Sequence, residues 1–252
     1  MTDFLTLDKK LALITGGGTG LGLGIAKVFV ETGARVIITG RREEILKKAC
    51  EELGPMASYA VSDITNFETI PAFVAEIEEK LGPIDILVNN AGIHLKKDAL
   101  EVTDEEFARV VRTNQQAVFG MSREVAKRMA ARKRGNIIMV SSMAAQYGIP
   151  KVIAYTAAKT AIEGMTRALA VEWSPKGIRV NCLAPGFIQT EMSSNALDND
   201  PERKNKVLGR TPIGALGEPK DVGFAAAFLA SDAAKYLTGV VLPVDGGNSI
   251  GF

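Results

Sequence analysis

The strongest constraint on the fold is an alternation, repeated along the chain, of short apolar runs of β-forming residues with stretches that carry apolar positions at helical spacing. The runs are LALIT at 11–15, RVIIT at 35–39, the weaker SYAV at 58–61, IDILVN at 84–89, NIIMVS at 136–141, IRVNCLA at 178–184 and GVVLPV at 239–244. They are continuous rather than alternating in polarity, as strands buried on both faces are. This order predicts an α/β protein with a seven-stranded parallel sheet and helices on both faces. No linker, low-complexity tract or repeat divides the 252 residues, so one domain is expected over 1–252.

Charge and composition exclude several classes of function. Thirty Lys+Arg against 29 Asp+Glu leave a net charge of +1, too little to gather nucleic acid or an anionic membrane over the whole surface. No apolar run reaches the length of a membrane span, and the start MTDFLTLDKK lacks the pattern of a signal peptide, so a cytoplasmic protein is expected. Cys50 and Cys182 are too far apart for a Cys-x-x-Cys motif and too few for a disulfide scaffold. His94 is the only histidine, which removes His-Glu-x-x-His zinc sites and every Ser-His-Asp or Cys-His triad not built on it; no metal is expected.

A helix start is read at Thr103, with Glu106 at capping-box spacing and Phe107, Val110 and Val111 at helical intervals. That helix is expected to run over 104–134 to Arg132-Lys133-Arg134, with Gly135 as its stop. The basic stretch reads as an end-of-helix feature that complements the dipole rather than as a partner site. The least regular region is 186–218, within which the polar, Pro/Gly-containing segment 190–215 is expected to be a mobile lid.

Directly after the first strand stands Thr15-Gly16-Gly17-Gly18-Thr19-Gly20-Leu21-Gly22-Leu23-Gly24, followed by the helical IAKVFVETG. Six glycines in nine residues cost more entropy than a simple turn requires. Between a strand and a helix they let backbone approach a pyrophosphate, which the helix N-terminus then meets with amide donors and positive dipole. The G-x-G-x-x-G fingerprint is absent; the pattern present is T-G-x-x-x-G-x-G.

Farther on, Tyr155 and Lys159 are four apart in a strongly helical stretch, hence on one face. An ammonium about 4 Å from a phenol, at an effective dielectric near 20, is worth about 4 kcal/mol, or roughly three pKa units. That would bring the tyrosine toward neutral pH, where a general acid/base works best. Ser141 and Ser142 end the fifth strand, and the carboxyl ends of strands are where an open parallel sheet binds its ligands. A hydroxyl there can stabilise charge building on a carbonyl oxygen.

The glycine pattern, followed by Ser, then Tyr-x-x-x-Lys, resembles the short-chain dehydrogenase/reductase family. The resemblance covers nearly the whole chain and implies a single-domain Rossmann-type doubly wound fold. By it, Ser142, Tyr155 and Lys159 are catalytic, with Tyr155 as proton donor and acceptor, and Lys159 lowers the tyrosine pKa and holds the nicotinamide ribose. Asn114, in RTNQQAVF, orders a water-linked proton path to Lys159. Gly16, Thr19, Gly20, Leu21 and Gly22 hold the pyrophosphate; Asp63 with Ile64 bounds the adenine; Asn90, Ala91 and Gly92, from NNAG, lie beside the cofactor. Pro185, Gly186, Ile188 and Thr190 grip the carboxamide.

The same resemblance implies a homo-oligomer, most often a tetramer, which the apolar content of 104–134, 154–174 and the last strand supports mildly. An oxidoreductase is the leading reading, and a non-catalytic NADP-binding sensor or scaffold on the same fold is the rival from another class. For the substrate, the chain resembles both sugar or sugar-acid dehydrogenases such as the gluconate 5-dehydrogenases and the 3-oxoacyl-carrier-protein reductases. Met143 after Ser142, and Val171 where the carrier reductases have a second arginine, favour a small polar carbonyl or alcohol substrate.

The second strand ends in Thr39-Gly40-Arg41-Arg42. An acid at its end would bind both ribose hydroxyls of NAD and repel a 2′-phosphate. Gly40 stands there instead, and a guanidinium next to it can meet a phosphate with two charge-assisted hydrogen bonds, so NADP(H) is expected over NAD(H).

Overall fold

The computed structural model describes residues 5–190 and 200–251. Seven strands, β1 (Leu11–Thr15), β2 (Arg35–Gly40), β3 (Ala57–Val61), β4 (Ile86–Asn89), β5 (Gly135–Val140), β6 (Ile178–Pro185) and β7 (Val241–Val244), form one sheet in the order β3-β2-β1-β4-β5-β6-β7. Every pairing is parallel. The strand order reverses between β1 and β4, which opens a crevice at their carboxyl ends.

Strand residues sort alternately onto two layers because successive side chains point to opposite faces. In β1, Ala12 and Ile14 pack with α1 (Gly20–Glu31), α2 (Glu43–Leu53) and the later α8 (Pro219–Ala230). Leu11 and Leu13 pack on the other face with α3 (Ile70–Leu81), α5 (Ala117–Arg132) and α6 (Ile153–Trp173). The same alternation runs through β5, with Ile138 and Val140 on the first layer and Ile137 and Met139 on the second. Two apolar layers on one sheet are the reason the strands read as unbroken hydrophobic runs.

The expected helix over 104–134 is broken in two. Thr103 caps α4 (Asp104–Val111), with its side chain accepting from the Glu106 amide and Glu106 accepting from the Thr103 amide. A π turn at Arg112–Gln116 then inserts before α5. Gly135 is not the stop: α5 ends at Arg132, Lys133 closes it in the left-handed region at φ 52°, and Gly135 opens β5. Arg132 donates to Glu78 Oε1 at 2.9 Å and to the Ile84 carbonyl at 2.9 Å, and Arg134 donates to Asp85 at 2.6 Å. The basic stretch therefore secures the junction of α3 and β4, in keeping with its reading as an end-of-helix feature.

Of the segment 190–215, residues 191–199 lie outside the described part. The remainder contains α7 (Pro201–Arg210), seated through Val207. Among the described residues no helix is long and apolar enough to cross a membrane, and no group of three or more His, Cys, Asp or Glu could hold a metal ion.

Candidate active site

At the β1–α1 turn, Gly16 and Gly20 take φ +65° and +52°, the left-handed region that glycine occupies without penalty. Gly22 is required for a different reason: a Cβ there would lie 2.3 Å from the Gly16 carbonyl oxygen and 2.5 Å from Asn90 Nδ2. Thr19 caps α1 without a side-chain hydrogen bond, and no acid stands in the first turn of that helix. The amides at its start are therefore free of a carboxylate that would compete with a bound anion. Leu21 packs against the core behind them.

Asn90 turns out to be a strut. Its Nδ2 donates to the carbonyls of Thr15 at 3.0 Å and Gly16 at 3.1 Å, while Thr15 Oγ1 accepts from the amides of Asn90 and Ala91, each at 3.1 Å. The segment after β4 and the glycine loop are thereby held as one piece. Thr190 faces Gly20, since a Cβ on that glycine would lie 3.5 Å from Thr190 Cγ2. Pro185 ends β6, and Ile188 pairs with Gly217 in an isolated bridge. A Cβ on Gly186 would strike the Asp245 backbone at 2.6 Å. Ile64 is buried beside the end of β3, and the neighbouring Asp63 accepts from the amide and hydroxyl of Thr65, which hold its carboxyl below the usual range. Arg41 and Arg42 are exposed at the end of β2.

The two serines after β5 have different surroundings. Ser141 is buried and donates to the Lys159 carbonyl and to Glu163 Oε1, each at 3.0 Å. Ser142 is half-buried, takes a hydrogen bond from the Ala144 amide at 3.2 Å, and lies in hydrogen-bonding reach of the Tyr155 phenol. The structure thus brings together Ser142, Tyr155 and Lys159.

Asn114 enters through the π turn. It is fully buried, accepts from the Ile93 amide at 2.8 Å and donates to the Ile93 carbonyl at 2.8 Å. π turns concentrate at functional sites because the extra residue turns a side chain away from helical register. No spacing signal in the sequence marks this one.

The electrostatics differ from the expectation. Burial pushes the Tyr155 phenol up, and its hydrogen bond to Ser142 opposes this. Lys159 Nζ lies 5.6 Å from the tyrosine ring centroid and donates instead to the Val140 carbonyl at 2.7 Å. It is only 4% exposed, and burial lowers its pKa to about 8. The expected contact of the ammonium with the phenol is replaced by a hydrogen bond from the amine to a strand-end carbonyl.

One neighbour of Tyr155 was not read as part of the site. The His94 ring stands 4.8 Å from the tyrosine ring, centroid to centroid, tilted by 50°. Its position two residues after Gly92 in the segment NNAGIH was the available signal.

Residues 16–249 match the family described as enoyl-(acyl carrier protein) reductase. The chain is 42% identical over 247 residues to galactitol 2-dehydrogenase (L-tagatose-forming) of Cereibacter sphaeroides, covering 97% of this chain and 96% of that protein. It is 40% identical over 245 residues to the 3-oxoacyl-[acyl-carrier-protein] reductase of Chlamydia muridarum, covering 96% and 98%. A gluconate 5-dehydrogenase from Burkholderia cenocepacia, solved in complex with NADP and tartrate, superposes with a TM-score of 0.94 at 35% identity, covering 99% of each chain. With the seven-stranded parallel sheet and the joined Ser, Tyr and Lys, these matches establish that the chain belongs to the short-chain dehydrogenase/reductase family and is an oxidoreductase acting on alcohol and carbonyl groups.

Proposed function

We propose that the enzyme is an NADP(H)-dependent dehydrogenase of small polar substrates, a sugar or sugar acid, with Tyr155 as the proton donor and acceptor. The residues present fit a dinucleotide. The close approach of Gly22 to Gly16 leaves no room for a side chain, and the α1 amides face no carboxylate of their own. Gly16, Thr19, Gly20, Leu21 and Gly22 would hold the pyrophosphate, Asp63 and Ile64 the adenine, and Ala91 with Gly92 the wall that Asn90 braces. Pro185, Gly186, Ile188 and Thr190 would hold the carboxamide, and Lys159 the ribose. When bound, the dinucleotide supplies or accepts the hydride.

The chain's own residues handle the substrate oxygen. Ser142, with its oxygen already accepting from the Ala144 amide, has its hydroxyl proton to donate to that oxygen. Tyr155, a phenol that burial pushes further above its ordinary range, gives its proton to the same atom in the direction of reduction. Asn114 fixes the wall opposite by clamping Ile93. The enzyme works in the cytoplasm, and as a homotetramer, the latter supported by exposed apolar side chains on α5 and α8, among them Phe119, Phe224 and Phe228.

The observation that carries the choice of substrate is the state of the basic stretch. A 3-oxoacyl thioester reductase must dock an acidic carrier protein, yet Arg132 and Arg134 are paired with Glu78 and Asp85, and Val171 presents an apolar surface that is 80% exposed. Steady-state assays with polyols, sugar acids and acetoacetyl thioesters test the reading. A sugar or sugar acid is expected to give the highest kcat/KM, and a thioester in first place would replace this proposal with the carrier-protein alternative.

The dinucleotide choice has its own test. A Cβ at Gly40 would meet only Leu46 Cδ2, at 3.6 Å, so an acid fits there without strain. Gly40→Asp is expected to shift preference toward NAD, and Arg41→Ala to raise KM for NADP roughly tenfold or more while that for NAD changes little. A parent enzyme that prefers NAD would refute the assignment of Arg41.

A further inference from the structure

We infer that His94 is the specificity-determining residue of this site, a hydrogen-bonding group that contacts a hydroxyl or carboxylate oxygen on the carbon next to the reacting carbonyl. The inference deepens the proposed function and rests on it for the substrate class.

Three observations lead to it. The first is direction. Ile93 and Leu95 pack on the small apolar cluster of Val110, Ala154 and Ala158, so the intervening His94 is turned the other way and is exposed. The second is placement. The exposed imidazole stands 4.8 Å from the Tyr155 ring, and Tyr155 itself packs on the same cluster through its other contacts. On the proposed reading, a substrate whose oxygen meets the phenol and Ser142 has its neighbouring carbon beside the imidazole. The third is rigidity. The two 2.8 Å hydrogen bonds between Asn114 and the Ile93 backbone, and the Asn90 strut three residues earlier, fix the segment that carries the ring.

An imidazole N–H can donate to a hydroxyl or a carboxylate oxygen. An aliphatic chain next to the carbonyl, as in a fatty thioester, gains nothing from such a group and leaves its polar atoms to water. A site that hydrogen-bonds a substrate hydroxyl discriminates against the analogue lacking it. That makes His94 a determinant of choice between substrates rather than of the proton transfer.

The test compares parent, His94→Ala and His94→Gln on a matched pair, hydroxyacetone and acetone, with NADPH. The parent is expected to favour hydroxyacetone. In His94→Ala the ratio of the two kcat/KM values is expected to fall roughly tenfold through KM for hydroxyacetone, with kcat within about threefold, and His94→Gln is expected to recover most of the ratio because its amide can still donate and accept. NADPH affinity should be unchanged in both variants. A ratio equal to the parent's in His94→Ala, a uniform loss on both ketones, or a parent without preference would each overturn the inference. If the sugar panel fails while the ratio still collapses in His94→Ala, the substrate reading falls and the role of His94 stands.

Discussion

Tyr155→Phe is expected to lower kcat on the order of a thousandfold while the dissociation constant for NADPH stays within about twofold. The ring survives the substitution, so its packing against Val110, Ala154 and Ala158 and its approach to His94 are kept. What goes is the atom proposed to pass a proton to the substrate oxygen beside Ser142, and a positioned general acid contributes roughly 10²–10⁴ in rate. Fluorescence titration of the cofactor alongside steady-state kinetics separates the two effects. Turnover within tenfold of the parent would remove Tyr155 from the proton transfer. Because burial raises the phenol above its ordinary value, the parent's oxidation reaction, which needs the deprotonated oxygen, is expected to gain rate as pH rises, while reduction is not limited by protonation near pH 7.

Lys159→Met is expected to make the apoprotein more stable at pH 7 and nearly inactive. The folded pKa of about 8 against an ordinary 10.5 means that the folded chain holds this proton less tightly than the unfolded chain does. Below pH 8 the full cost of the buried charge applies, about 3 kcal/mol. It shrinks as pH rises from 8 toward 10.5, where both states become neutral. Methionine removes the charge and keeps most of the volume, but leaves the Val140 carbonyl without its donor, a loss of about 1 kcal/mol. A net gain of about 2 kcal/mol is therefore expected in urea unfolding at pH 7, becoming a slight loss near pH 10. A gain of equal size at both pH values would show that charge burial is not its origin. Stability given up at a lysine proposed to hold the cofactor would follow the general trade between stability and turnover.

The fold was legible because its central strands are buried on both faces: an unbroken run such as LALIT has few other uses in an α/β chain, and all seven runs became strands. Boundaries moved by a residue or two where a strand ends in polar or small residues, as at Gly40 and Gly135. Of the candidate site, the Tyr155 and Lys159 pair was marked by its spacing and most of the rest by the family resemblance. The direction of the Lys159 amine was not, because spacing on a helix fixes the face and leaves four side-chain torsions open, and the nearer acceptor proved to be a strand carbonyl. Nor was the strut role of Asn90, which depends on the glycine loop folding back under it. His94 was read only for the sites it rules out, since an isolated histidine carries no periodic signal.

The π turn at Arg112–Gln116 acts as a phase shifter between α4 and α5, which it joins without a loop. An α-helix advances about 100° per residue, so one residue more or fewer in this turn would leave α4 and α5 individually intact yet rotate one against the other by that angle. Val118, Met121, Val125 and Met129, which now line the sheet, would swing off it. Substitutions in Arg112–Gln116 other than at buried Asn114 should thus be absorbed, whereas a single-residue deletion should be disastrous for the fold. The length of this five-residue segment, more than its composition, is what selection must hold fixed.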